Sequence, residues 1–260
     1  MQIFEYLAHI VLLFLELALI SSLVTALTRS IIAKNQQKMS ASLKLMFFDG
    51  RGNVETSRCL LAVAEIPYED KRFSISCDAR EFPEFAAARE RGEFKAGMDQ
   101  APLLVIGNDV SIGQTKAIER YIARRGGLMG SNDIEAAQID CICEHVRDIK
   151  DKYAKVQAIT DEAEKETAMN KWFTTEFTEW LSKLEMSLPS GRAAGYCVGN
   201  KVSYADVTVW NLLSDFFRNP QKEGVAASVK PCVQLVGIVD TVAALPALQK
   251  WLAERPQTNW

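Results

Sequence analysis

The most reactive side chains in this chain near neutral pH are six cysteines and two histidines. Cys59, Cys77, Cys141, Cys143, Cys197 and Cys232 are scattered, and no CxxC pair occurs. Cys141 and Cys143 are two apart, so on a helix they point in different directions. With His9 and His145 as the only imidazoles, neither a zinc site nor a Cys-His-Asp triad is expected. The thiols read as ordinary buried or free cysteines, and no metal is expected. A different chemistry is open to the stretch from Lys44 to Arg58. Arg51 and Asn53 stand at the start of a helix, where side-chain donors and free backbone N–H groups stabilise a thiolate. No cysteine stands at the strand end just before them, where Asp49-Gly50 lies. Ser57 is farther along the helix and is not read as a catalytic serine.

The elements that must position these residues follow from patterning. Leu45-Met46-Phe47-Phe48 is a short apolar strand ended by Asp49-Gly50. Val54 to Ala64 has helical periodicity, with Val54, Leu60, Leu61 and Ala64 as core and Glu55 and Arg58 on the polar side. Pro67 ends that helix. Tyr68 to Ile75 reads as a second strand, Ala101 to Ile106 as a third and Val110 to Ile112 as a fourth. A helix from Ser111 to Arg125 is stopped by Gly126-Gly127. The order βαβ–ββα is that of a thioredoxin-like domain. The remainder reads as helical: Asp133 to Tyr153, a stripe from Trp172 to Leu184, Ser203 to Phe217, Cys232 to Val242 and Pro246 to Glu254. The aromatic stripes are taken as core. The chain thus divides into an anchor and linker (1–42), a thioredoxin-like domain (43–127) and an all-α domain (128–260). At 260 residues and 48% hydrophobic it can fill those cores. A net charge of -3 gives no reason to expect nucleic-acid binding.

Four stretches in this order resemble sigma-class glutathione transferases. The first is Lys44-Leu45-Met46-Phe47-Phe48-Asp49-Gly50-Arg51-Gly52-Asn53-Val54-Glu55-Thr56-Ser57-Arg58. The second is Gln100-Ala101-Pro102-Leu103-Leu104. The third is Gln114-Thr115 followed by Ala117-Ile118-Glu119-Arg120-Tyr121-Ile122, and the fourth is Val198-Gly199-Asn200-Lys201-Val202-Ser203-Tyr204-Ala205-Asp206. The tail from Pro246 to Thr258 is similar too. The resemblance implies a thioredoxin-like domain followed by an all-α domain, with glutathione as the cofactor. It implies a glutathione site at Phe47, Arg51, Phe82, Ala101, Pro102, Gln114 and Thr115, with Pro102 cis. Gln114-Thr115 and the helix N-terminus would hold the γ-glutamyl carboxylate. Ser203 with Asp206 would form an N-capping box. Asp148 aligns with an aspartate that reaches the glutathione amine across a homodimer. Phe82-Pro83-Glu84 resembles a Trp-Pro-Glu whose Trp contacts glutathione. A lysine expected shortly afterwards is replaced by Ala86, with Lys95 as the substitute. Phe47 stands where the family keeps its catalytic tyrosine. Phe keeps the ring and loses the hydroxyl that stabilises the thiolate, leaving Arg51 or Asn53 to supply the donor. Ser76 to Asp99 is longer than usual in the family and reads as a solvated loop plus helix.

Residues 7–28 form an apolar run long enough to span a bilayer. Glu5 precedes it; Arg29, Lys34 and Lys38 follow it. The globular part is then expected on the cytosolic or matrix side of the ER or inner mitochondrial membrane, a reducing space that suits unpaired thiols. Gln2, Glu5, His9 and Glu16 fall in one narrow stripe of that helix. A carboxylate at mid-membrane is costly, about 2.5–3.5 kcal/mol, so the stripe reads either as a charge tolerated in a monotopic or slightly shifted helix or as packing against other membrane subunits. Two functional expectations follow. One is a membrane-tethered, non-catalytic accessory subunit with a partly retained glutathione site. The alternative is an active membrane-anchored transferase or prostaglandin-synthase-like isomerase acting on a hydrophobic electrophile.

Overall fold

The computed structural model describes residues 41–75, 82–217 and 221–258, so the apolar run over 7–28 and its polar stripe lie outside it. Residues from Leu43 onward form one compact unit. Its first part is a four-stranded sheet ordered β2-β1-β3-β4. β1 (Leu43–Phe48) runs parallel to β2 (Glu69–Phe73) and antiparallel to β3 (Leu103–Ile106), which pairs antiparallel with β4 (Val110–Gly113). The parallel β1–β2 pair needs a crossover, and α1 (Glu55–Val63) supplies it. This is the βαβ–ββα order read from the patterning.

The sheet is covered on both faces. Leu60 and Leu61 of α1 and Ile118 and Ile122 of α3 (Thr115–Arg125) are fully buried, and the two helices pack together. A second core gathers Met46, Phe73, Phe94 and Leu103, with Phe48 and Phe85 against it. α2 (Pro83–Glu90) carries Phe85 and buries Ala88. Its rings meet edge-on, Phe85 and Phe94 at 4.8 Å between centroids, a preferred aromatic geometry.

The second part is helical: α4 (Asp133–Gln157), α5 (Glu162–Lys171), α6 (Phe177–Met186), α7 (Tyr204–Trp210), α8 (Gln221–Val229), α9 (Val233–Ala243) and α10 (Pro246–Glu254). Asn132 caps α4 through Ile134 N and Glu135 N, and Asp161 caps α5. Ser203 and Asp206 form the reciprocal capping box at α7. α7 is buried along its whole length, packed between α4 and α9.

Several boundaries depart from the patterning. The helix expected from Ser111 starts at Thr115, because β4 continues to Gly113. The stripe from Trp172 to Leu184 begins in a π-helical segment, Trp172–Glu176, that joins α5 to α6, and continues along α6. A second π segment, Asn211–Phe216, extends α7. α5 buries no residue, so it leaves no apolar stripe to read, and the short α8 buries only Val225 and Ser228. Two residues assigned to the polar side of α1 are interior: Glu55 is 2% exposed and Arg58 0%. Ala64, assigned to the core, is half-buried.

Candidate functional site

Three strands end side by side where the site residues cluster. Leu103 pairs with Met46 on one side and with Gly113 on the other. Phe47, Pro102 and Gln114 each lie one residue beyond those partners, on β1, at the entry to β3 and at the exit of β4. The Ala101–Pro102 peptide is cis. The structure therefore brings Phe47, Ala101, Pro102, Gln114 and Thr115 to one edge of the sheet.

Gln114 holds φ 70° and ψ 118°. A non-glycine residue at positive φ costs about 1–3 kcal/mol, and such strain collects at functional sites. Here it turns the chain sharply from β4 into α3. Two glycines make the turn fit: a Cβ on Gly113 would stand 2.5 Å from the Gly97 Cα. Beyond the turn, α3 begins without a side-chain cap. Its first N–H groups remain available to an external anion. Gln114 is exposed and Thr115 half-buried at this mouth.

The β1–α1 corner is built differently. Phe47 is half-buried, its ring 5.3 Å from that of Phe48. Gly52 lies flat on it: a Cβ there would be 3.0 Å from the Phe47 Cε1. Gly52–Val54 is a 3₁₀ turn that places Asn53 next to this contact. Asn53 is exposed, and its side chain makes no hydrogen bond among the described residues. Arg51 is committed elsewhere, since its Nη1 donates to Asp215 Oδ1 at 2.7 Å. Of the two expected donors, the structure leaves Asn53 open and holds Arg51 in an ion pair.

That pair is one arm of a buried network between the two parts of the molecule. Arg255 donates to Asp215 at 2.8 and 2.9 Å and to Glu55 at 2.8 Å. Trp251 Nε1 also donates to Glu55, at 3.1 Å. Arg58 lies between Glu55, Asp70 and the Gly50 carbonyl, at 3.3, 3.2 and 2.6 Å. Burial alone would raise the Asp215 pKa, but Arg255 and Arg51 hold it below the ordinary carboxylate range. The periodicity of α1 gave no sign of this, because Trp251 and Arg255, the partners of Glu55 from the helical part, lie 196 and 200 positions away.

A cavity of about 170 Å³ opens beside the corner, lined by Arg51, Gly52, Asn53, Glu55, Asn211, Asp215 and Phe216. Asn211 Oδ1 accepts from Thr56 Oγ1 at 3.1 Å and from Lys150 Nζ at 2.9 Å. Cys59 is fully buried behind this wall, and burial followed by Glu55 pushes its thiol pKa well up. It is no nucleophile at neutral pH.

The remaining candidates lie apart. Phe82 is half-buried, its ring 4.8 Å from that of Phe48, so it joins the N-terminal aromatic cluster. Ala86 and Lys95 are exposed. The turn Lys95–Gly97 lies against Gly113, while the Lys95 side chain folds over Gly92. Asp148 is exposed on α4 and lines a different cavity with Trp180 and Lys183, which contains none of the other candidates. Cys141 is exposed and Cys143 buried, as their spacing predicts. Among the described residues no group of three or more metal-ligating side chains occurs.

Residues 43–124 match the family described as glutathione S-transferase, N-terminal domain, and residues 147–255 its C-terminal domain. The chain belongs to the glutathione S-transferase family. Hematopoietic prostaglandin D synthase of Gallus gallus is 31% identical over 215 residues, 83% of this chain and 97% of that protein. S-crystallin SL11 of Nototodarus sloanii is 29% identical over 220 residues, 84% of this chain and 98% of that protein. Among solved structures, the Pi-class glutathione S-transferase of Onchocerca volvulus superposes with a TM-score of 0.67 at 26% identity, covering 82% of this chain and 93% of that one. The family fold is thus a thioredoxin-like domain followed by a helical one, as the motifs imply.

Proposed function

We propose that the protein binds glutathione along the edge formed by Phe47, Pro102 and Gln114 and joins it through its sulfur to a hydrophobic electrophile, the thiol proton leaving to solvent and, with an aryl halide, the halide departing as the C–S bond forms. The dimensions support this. Adjacent strands lie about 4.8 Å apart, so the edge from β1 to β4 spans roughly 10 Å, the reach of a tripeptide at about 3.3–3.6 Å per residue. The uncapped N-terminus of α3 beside Gln114 and Thr115 suits a carboxylate at one end. The thiol then falls at the Phe47 end.

The observation that carries the transferase reading is Asn53. Phe47 offers no hydrogen bond, and Arg51 is paired with Asp215. The unbonded Asn53 amide next to the Phe47–Gly52 contact is the donor left for the sulfur. One donor to a developing anion is worth about 10²–10³ in rate. Conjugation of an aryl halide should therefore fall by about that factor in Asn53→Ala, with calorimetric glutathione affinity retained. Wild type that binds glutathione without turnover would defeat the transferase reading.

The apolar run over 7–28, with its acidic stripe at Glu5 and Glu16, supports a second reading. In it the same fold is tethered to the ER or inner mitochondrial membrane as an accessory subunit of a larger assembly, with glutathione binding retained. Native mass in mild detergent separates the two: a large stoichiometric assembly favours the subunit, a monomer or dimer the enzyme. In a dimer, Asp148 of one copy would serve the glutathione amine of the other, and Asp148→Ala would weaken glutathione binding only in the dimer.

A further inference from the structure

Two helices of the helical part are short of packing. α5 is ten residues long and buries none of them, and α8 buries only Val225 and Ser228. Helices of this length are marginal in water by themselves and depend on a face packed against neighbours. Between the two runs an open groove of about 830 Å³. Its floor is apolar, made by Met169 of α5 and by Phe173 of the π-helical segment, whose ring lies against Gly224 of α8. That floor is fixed from behind: the Phe173 ring meets those of Tyr153, Phe177 and Phe217 at 6.0, 6.1 and 5.5 Å between centroids. The Phe173 carbonyl accepts from Ser228 Oγ at 3.0 Å. The rim is acidic. Glu162, Glu166 and Glu223 line it, against Lys165 as the one cation among the described residues. All three glutamates are exposed, and none has a hydrogen bond or ion pair among the described residues. Glu162 and Glu166 are one turn apart, a like-charge spacing that works against the helix.

We propose that the groove between α5 and α8 is a docking surface for a basic amphipathic helix of a partner protein. Length and charge both select that occupant. The wall from Glu162 to Phe173 is roughly 16 Å long at 1.5 Å per residue, so it takes about three turns of a third helix. Apolar side chains of that helix at i, i+3, i+4 and i+7 would sit on Met169 and Phe173. Lysine or arginine beside its apolar stripe would meet the three glutamates and relieve their mutual repulsion. An extended strand fits poorly, because strands are taken up by a free sheet edge and helices wall this groove. A second copy of the chain is disfavoured too, since an isologous contact would set the same glutamates against each other. The acidic rim likewise repels an anionic membrane surface. None of the residues assigned to glutathione lines the groove, so the inference stands apart from the glutathione reading and suits an enzyme or an accessory subunit alike.

The test is photo-crosslinking of the full chain in mild detergent to a model helix of about 18 residues, long enough to form in solution. It carries leucine along one face, lysine elsewhere and one benzophenone on the leucine face. On irradiation the benzophenone carbonyl adds across a nearby C–H bond, forming a C–C bond and an alcohol, and mass spectrometry of the digest locates the contact. The adduct should fall between Glu162 and Phe173, above all on Met169. Glu162→Lys, Glu166→Lys and Glu223→Lys together should cut its yield at limiting peptide about tenfold, as three exposed charge pairs can supply. The same reversal at Glu65, Glu90 and Glu254, exposed positions outside the groove, should leave the yield unchanged. Salt at about 0.5 M should lower the wild-type yield toward that of the rim variant. Adducts scattered over the surface, equal yield from a scrambled peptide of the same composition, or an unchanged yield in the rim variant overturn the inference. Displacement by spermine as efficient as by the unlabelled helix would mean that a simple cation suffices. A native mass that falls from dimer to monomer in the rim variant would make a second copy the occupant. Either result overturns the inference as well.

Discussion

The two ends of the sheet edge are built by different rules. At the β4–α3 end, local backbone does the work: a strained Gln114, two glycines in contact and an uncapped helix present a ready anion mouth. At the β1–α1 end, the ring of Phe47 packs on Gly52, while Arg51 and Glu55 are held by residues of the helical part. The first end is built within the sheet part, from β4, α3 and the Lys95–Gly97 turn. The second is set by distant partners, so on the proposed function the chemistry of the sulfur would depend on how the helical part docks. On that reading, recognition of the peptide and activation of its thiol should be separable.

Breaking the docking should have the largest effect. Asp215→Ala leaves Arg51 and Arg255 without their shared carboxylate, and removing one member of a buried pair costs about 3–5 kcal/mol. Urea unfolding would read that loss. Because the folded pKa of Asp215 is depressed, its contribution is full above the unfolded carboxylate value of about 3.9. It is lost as pH falls through the folded value, so the stability difference between wild type and Asp215→Ala should hold at neutral pH and shrink in acid.

Phe47→Tyr should sharpen the contrast by altering only the sulfur end. A restored hydroxyl donor should raise turnover by up to about 10²-fold and lower the pKa of bound glutathione thiol, followed by thiolate absorbance. An unchanged thiol pKa would mean that the ring does not face the sulfur. At the other end, Gln114→Ala should weaken glutathione binding by about 1.5–3 kcal/mol, the value of a hydrogen bond to a charged group, and leave the thiol pKa alone. Movement of both quantities together would refute the separation. The smallest effect is expected from Gly113→Ala, whose Cβ would meet the Gly97 backbone. Overpacking of this kind costs about 1–3 kcal/mol, read as a lower melting temperature.

Much of this was legible in the sequence. Strand and helix order followed from period-2 and period-3.6 patterning, from Pro67 and Gly126-Gly127 as stops, and from the capping pair Ser203 and Asp206. Those signals are local, since each depends on neighbours within a few residues. Local patterning put Pro102 inside a strand and Gln114-Thr115 inside a helix from Ser111; it was the family's motifs that joined them to one site, and the structure that set them at element boundaries. Tertiary structure alone decided the rest. Glu55 and Arg58 look like an ordinary solvent-facing i,i+3 pair; Arg255 and Trp251, nearly 200 positions on, bury Glu55. Arg51 and Asn53 are equivalent donors in the sequence, and only Asp215 separates them. Lys150 reads as one more polar residue of an amphipathic helix until Asn211 and Phe216 enclose it. Backbone hydrogen bonding and periodic burial act over a few residues and so leave a trace in the sequence. Charge pairing in a low-dielectric interior acts between surfaces that meet only after folding, and leaves none.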